Sequence, residues 1–139
     1  MKRRQEGAVI VEFAAVLLVF LMFVFGLVDF SRLLYTWQVA NEATREGARY
    51  AVVCADPTSS DRIKSRMQAL LPQISTINVA WSPAGCNSTT CEGVTVSITD
   101  MKFQWISPLP GAAARPVVLM PGFSTYLQRE MMSYNPQIC

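Results

Sequence analysis

The chain contains no histidine. That absence removes the most common general acid–base, the Ser-His and Cys-His nucleophile pairs, and zinc sites built on imidazole. Also missing are a G-x-S-x-G turn, a G-x-x-x-x-G-K-[ST] phosphate cradle and a C-x-x-C redox pair, so no motif points to acyl transfer, phosphoryl transfer or thiol redox chemistry. Cys86 and Cys91 are separated by Asn87-Ser88-Thr89-Thr90, and no neighbour in sequence would activate either thiol. The expectation is a protein that is not an enzyme, holds no cofactor or metal and has no small-molecule substrate. An excess of one charge is lacking too. From Asp29 onward nine Lys/Arg stand against eight Asp/Glu, too balanced for the positive stripe that binds nucleic acid, which is excluded as a partner.

What the chain does have is apolar surface, at 51% of its residues, and the excess lies at the start. After the basic tip Met1-Lys2-Arg3-Arg4 and Gln5-Glu6-Gly7, an apolar run extends from Ala8 into Phe30. A stretch of about twenty apolar residues crosses a bilayer as a helix. Lys2, Arg3 and Arg4 precede the run, and the mixed charges Asp29 and Arg32 follow it. The positive-inside bias therefore keeps the amino terminus in the cytoplasm and exports the rest. A cleavable secretory signal shares the basic and apolar regions, but no A-x-A-like site follows this run. Ala51-Val52-Val53-Cys54 lies too far beyond it, behind a charged segment, to serve as a lipoprotein site. Inside the run stands one carboxylate, Glu12, five residues past Gly7. Such a group costs about 2.5 to 3.5 kcal/mol on membrane-insertion scales, so its presence calls for a role. The chain of 139 residues has room for this anchor and one small exported domain of about 100 residues, not for two soluble domains.

The helical pattern continues past the apolar run. No proline falls between Asp29 and Val53, and Leu33, Leu34, Trp37, Val39, Ala40, Ala43, Gly47 and Ala51 supply a helical face of apolar and small residues. Glu42 with Arg45, and Glu46 with Arg49, support a solvated face at i, i+3. These features predict one helix over residues 8–53, about 65 to 70 Å long at about 1.5 Å per residue. Ala43, Gly47 and Ala51 form a small-residue ladder that admits close approach, either by an element of the same subunit or by a neighbouring helix in an assembly. Asp56 to Ser60 break the helix. Ser60 or Asp61 then caps a short helix presenting Ile63, Met67, Leu70 and Leu71 and ending at Pro72. Its Arg62, Lys64 and Arg66 form a solvated face or reach lipid headgroups.

Ile77, Val79 and Trp81, and again Val94, Val96 and Ile98, alternate as in strands with one buried face, joined antiparallel through Ser82 to Gly93. After Thr99-Asp100 the phase shifts to Met101, Phe103 and Trp105, which predicts a bulge or bend. Pro108, Pro110, Gly111, Pro116 and Pro121 mark an irregular loop in which Val117 to Met120 is too short to assign. A final strand is expected from about Phe123 to Met131. The fold class is α+β, a long N-terminal helix packed on a small antiparallel sheet. The four cysteines, Cys54, Cys86, Cys91 and Cys139, all fall in the exported part, where an even count marks disulfides. Three pairings are possible. The short polar loop favours Cys86 with Cys91, leaving Cys54 to tie the end of the long helix to Cys139. With a single close cysteine pair and no histidine, a zinc site is not expected.

Basic residues, then Gly7, then an apolar helix with Glu12 at the fifth position resemble the amino-terminal signal of type IV pilin-like proteins. Glu12-Phe13-Ala14-Ala15 leads on to Phe25-Gly26-Leu27-Val28-Asp29-Phe30-Ser31-Arg32-Leu33-Leu34-Tyr35 and to Asn41-Glu42-Ala43-Thr44-Arg45-Glu46-Gly47-Ala48-Arg49-Tyr50-Ala51. Together these segments resemble the TadE-like pseudopilins of tight-adherence (Flp) pilus systems. The resemblance implies a cytoplasmic leader at 1–7, a transmembrane part of the helix at 8–30 and a periplasmic, pilin-like α+β domain at 31–139, in the bacterial inner membrane. It also implies a cut by a prepilin peptidase between Gly7 and Ala8, where glycine suits an unwound backbone at a helix start. The ammonium so created at Ala8 is then compensated by Glu12, within the chain or on a neighbour, favouring subunits docked in register. Phe13 stands where these proteins commonly carry an aromatic, and also suits a plain lipid-facing position.

The function implied is that of a minor pseudopilin supporting assembly of a type IVb-like adhesion pilus. Its partners would be the prepilin peptidase, a sister pseudopilin, the major pilin, the pilus assembly platform and membrane lipid. Two alternatives are an uncleaved, signal-anchored periplasmic binding or enzymatic domain, and a pseudopilin of a type II secretion system, which would share the processing and differ in partners.

Overall fold

A run of 49 residues without a helix-breaking proline folds as a single helix, α1 (Glu6–Cys54), in the computed structural model. The structure describes residues 6–54, 60–87, 89–107, 116–129 and 137–139. After α1 come α2 (Ser60–Leu70), β1 (Thr76–Ser82), β2 (Gly93–Thr99), β3 (Lys102–Gln104), β4 (Val117–Leu119) and β5 (Phe123–Gln128). The class is α+β, with the sheet antiparallel throughout its described pairs. Two units divide the chain, one of residues 1–34 with 104–118, the other of residues 35–103 with 119–139.

In the first unit, α1 is long and apolar enough to cross a membrane, and none of its most apolar window is buried. Side chains such as Val11, Phe13, Val19 and Phe23 stand about two-thirds exposed, the pattern of a helix whose apolar surface is meant for lipid rather than for a protein core. Asp29 is the exception, fully buried at the end of the run.

In the second unit, β2 is the central strand of a three-stranded sheet in the order β1-β2-β5. Val96 sits opposite Val79 on one side and Thr125 on the other, and Ile98 opposite Ile77 and Phe123. Because strand side chains alternate between faces, Val94, Val96 and Ile98 all point inward and are buried. Ile77, Val79 and Trp81 keep the predicted alternation but are only half-buried, since β1 is an edge strand with one neighbour. Asp100 adopts a positive φ of 59°, a left-handed conformation that aspartate tolerates better than most residues. That turn accounts for the change of phase, bringing Met101 and Phe103 into the core. β3 and β4 pair as a separate two-stranded ribbon. The last strand ends at Gln128, and the expected extension to Met131 reaches outside the described residues.

Ile63, Met67, Leu71 and Ile74 are buried, and Ile63 and Met67 lie against Gly47 of α1. Leu70 departs from expectation: it is 45% exposed, because the contact stripe of this short helix is only as wide as the i, i+4, i+8 row of Ile63, Met67 and Leu71. Arg62 and Arg66 donate to the carbonyls of Cys139 and Ile138, and the Arg66 guanidinium lies over the Tyr50 ring at 5.3 Å. The basic side of α2 thereby holds the carboxyl terminus. Disulfides join Cys54 to Cys139 and Cys86 to Cys91. The latter closes a turn built by Asn87, whose Oδ1 accepts from the Thr89 and Thr90 amides.

Candidate functional site along the long helix

Every candidate residue outside the cysteines lies on α1, with Gly7, Ala8, Glu12 and Phe13 in the first unit and Ala43, Gly47 and Ala51 in the second. Gly7 and Ala8 fall within the first turn, where backbone amides have no intrahelical acceptor. The Gly7–Ala8 bond is therefore helical at rest, and a protease that requires extended backbone must first unwind a turn that is only weakly held. Among the described residues, nothing lies within 4 Å of where a Gly7 side chain would be.

Glu12 lies one turn beyond Ala8 and is exposed among apolar neighbours. Val11 and Phe13 flank it at 69% and 66% exposure. Among the described residues nothing pairs with its carboxylate. Phe13 points into the same open apolar surround and makes no ring contact among the described residues.

The ladder Ala43, Gly47 and Ala51 is buried in the second unit. A Cβ on Gly47 would lie 2.7 Å from the Met67 Sδ and 3.4 Å from the Ile63 Cγ2. Here α2 of the same subunit occupies the space that glycine leaves. On the adjacent side, Thr44 is fully buried and shares a 2.8 Å hydrogen bond with the Thr125 hydroxyl of β5. With its single proton donated to the Asn41 carbonyl at 2.8 Å, the Thr44 hydroxyl accepts from Thr125. Trp37 meets Phe123 edge to face at 5.1 Å. The second-unit part of α1 is thus keyed to β5 by one polar and one aromatic contact.

Asp29 forms a constellation that the sequence did not announce. Its Oδ2 accepts from the Ser107 amide at 2.6 Å, both carboxylate oxygens accept from the Ile106 amide at 3.1 Å, and Arg32 Nη1 donates to Oδ1 at 3.0 Å. The pair with Arg32 is local, at i, i+3, whereas the backbone amides arrive from 77 and 78 residues away. No local periodicity signals such a contact. An acidic residue at the end of an apolar run is the one clue available, because a carboxylate there needs donors.

Glycine, then an exposed carboxylate five residues on, then a helix with small residues at its far end is an arrangement that can be compared with known families. Residues 7–49 match the family model of TadE-like proteins. No curated protein and no solved structure gives a significant match. The TadE-like segment contains Gly7, Ala8, Glu12, Phe13, Asp29, Ala43, Thr44 and Gly47, and it stops short of Ala51 and of the whole sheet. The match covers about a third of the chain, all of it within α1. Among the described residues no group of three or more acidic, cysteine or histidine side chains could hold a metal ion.

Proposed function

We propose that the chain is a minor pseudopilin that supports assembly of a tight-adherence pilus from the bacterial inner membrane. A prepilin peptidase removes residues 1–7, residues 8–30 remain in the bilayer with the leader end cytoplasmic, and residues 31–139 form the periplasmic domain. The observation that carries this reading is Glu12: an exposed carboxylate within an apolar helix surface, without a partner among the described residues and one turn from Ala8. Cutting after Gly7 places a new ammonium about 6 Å along the axis from Glu12, at about 1.5 Å rise per residue. An ion pair inside or at the edge of hydrocarbon removes the cost of the lone carboxylate. Made between neighbours, it fixes their axial register, which suits partners such as a sister pseudopilin, the major pilin and the assembly platform.

Glu12→Gln tests this division of labour. The variant is expected to be cut after Gly7 as before and to fail in restoring pili to cells lacking the native chain. Normal processing together with normal piliation would refute the assembly role of Glu12.

A further inference from the structure

We infer that the two arms of the loop in the first unit, Trp105 to Ser107 and Pro116 to Val118, form a second membrane contact that lies in the lipid interface beside the end of the apolar run of α1. The inference rests on the reading of α1 as membrane-crossing and adds to it an element that crosses nothing. Three observations combine. First, the loop exposes apolar side chains: Ile106 is 46% exposed, Val117 55% and Val118 41%. All three residues of β4 are exposed although every one is apolar, and no residue in 103–107 or 116–120 carries a charge. Consecutive exposed apolar residues on a short ribbon are unfavourable in water and mark a surface that something covers.

Second, the loop is fixed to the helix. Asp29 accepts from the amides of Ile106 and Ser107, and the Trp105 amide donates to the Pro116 carbonyl at 3.2 Å, so both arms are held at the level of Asp29.

Third, that level is known from the helix. Counted from Ala8, Asp29 lies about 30 Å along the axis, which is the thickness of the hydrocarbon core. The neighbouring helix side chains Leu27, Val28 and Phe30 are themselves about half exposed, so the apolar patch of the loop is continuous with the surface that lipid would cover. An indole at this depth suits the interfacial belt where tryptophan concentrates. The occupant we assign is therefore the headgroup and upper acyl region of one leaflet. The Asp29 clamp has a double consequence: it presses the loop onto the bilayer and gives a carboxylate at the hydrocarbon edge the donors that water would otherwise supply.

The test uses the unaltered full chain, a single chain per phosphatidylcholine nanodisc, with a small fraction of photoactivatable phosphatidylcholine bearing its carbene precursor high on the acyl chain. Adducts are located by peptide mass spectrometry. Labelling is expected on α1 near Phe30 and, at a comparable level, on Trp105, Ile106, Val117 or Val118. Labelling of α1 alone would overturn the inference and leave the membrane-crossing helix standing. No labelling on α1 either would overturn the membrane reading itself. Protection of the loop that appears only with two or more chains per disc would assign the surface to a second copy and overturn the lipid. With Asp29→Ala, label on the loop is expected to fall several-fold while label on α1 is retained; unchanged loop labelling would show that the clamp does not hold it there.

Discussion

Gly47→Ala sets two opposed effects of similar size against each other, and the structure decides the sign. Alanine in the middle of a helix gains about 1 kcal/mol over glycine. Its methyl group, however, would stand 2.7 Å from the Sδ and 2.9 Å from the Cγ of Met67. Overpacking a closed core costs about 1 to 3 kcal/mol. Met67 is fully buried, so its flexible thioether has no solvent-facing rotamer to retreat to, and the clash outweighs the propensity. The expected net effect is a loss of about 1 kcal/mol. Met67→Ala alone should cost about 2 to 5 kcal/mol for the lost burial and cavity. In the double variant the cavity receives the new methyl, so the losses should fall short of their sum by about 1 kcal/mol or more. Urea unfolding of the full chain in detergent, disulfides intact, followed by tryptophan fluorescence, measures all four corners of this cycle. A Gly47→Ala protein that is more stable than the parent, with no coupling to Met67, would refute the packing argument. Such a protein that also failed to build pili would move Gly47 to a contact between subunits.

Cys139→Ser opens the disulfide that spans 85 residues to Cys54, and the chain-entropy model gives a loss on the order of 4 kcal/mol; unfolding under oxidising conditions should show it, and an unchanged midpoint would contradict it. Thr44→Val leaves the Thr125 hydroxyl without its partner and should cost about 1 to 2 kcal/mol, whereas Thr44→Val with Thr125→Val should recover much of that loss, again by urea unfolding. Loss of the Asp29 acceptor should expose the amides of Ile106 and Ser107, so hydrogen exchange at these two positions should accelerate in Asp29→Ala while β2 stays protected.

The elements legible in the sequence were those governed by a local repeat. α1 follows from an unbroken apolar and small-residue pattern, and its ends fall within two residues of expectation. β1 and β2 follow from strict alternation at Ile77, Val79, Trp81 and Val94, Val96, Ile98, although alternation could not tell the central strand from the edge strand. Leu70 shows the limit of helical spacing: i+7 and i+8 straddle the same direction, and only the width of the partner surface decides which is buried. β4 was too short to assign, and its three exposed apolar residues became informative only once their burial was known. The two polar contacts that matter most to the arrangement, Asp29 with the Ile106 and Ser107 amides and Thr44 with Thr125, join residues 77 to 81 positions apart. Backbone amides leave no residue-type signature, and one threonine on an apolar helix face is compatible with many surroundings. Gly7 and Glu12 were legible for a different reason, since a costly carboxylate at a fixed distance from a glycine is a chemical anomaly rather than a folding signal.

The central claim is that the chain is cut after Gly7 and functions as the product. The measurement that tests it most directly is the amino terminus of the membrane-extracted protein, by intact mass and terminal sequencing, with and without a co-expressed prepilin peptidase. A start at Ala8 that depends on the peptidase is the predicted result. An amino terminus at Met1 or Lys2 in both samples would contradict it.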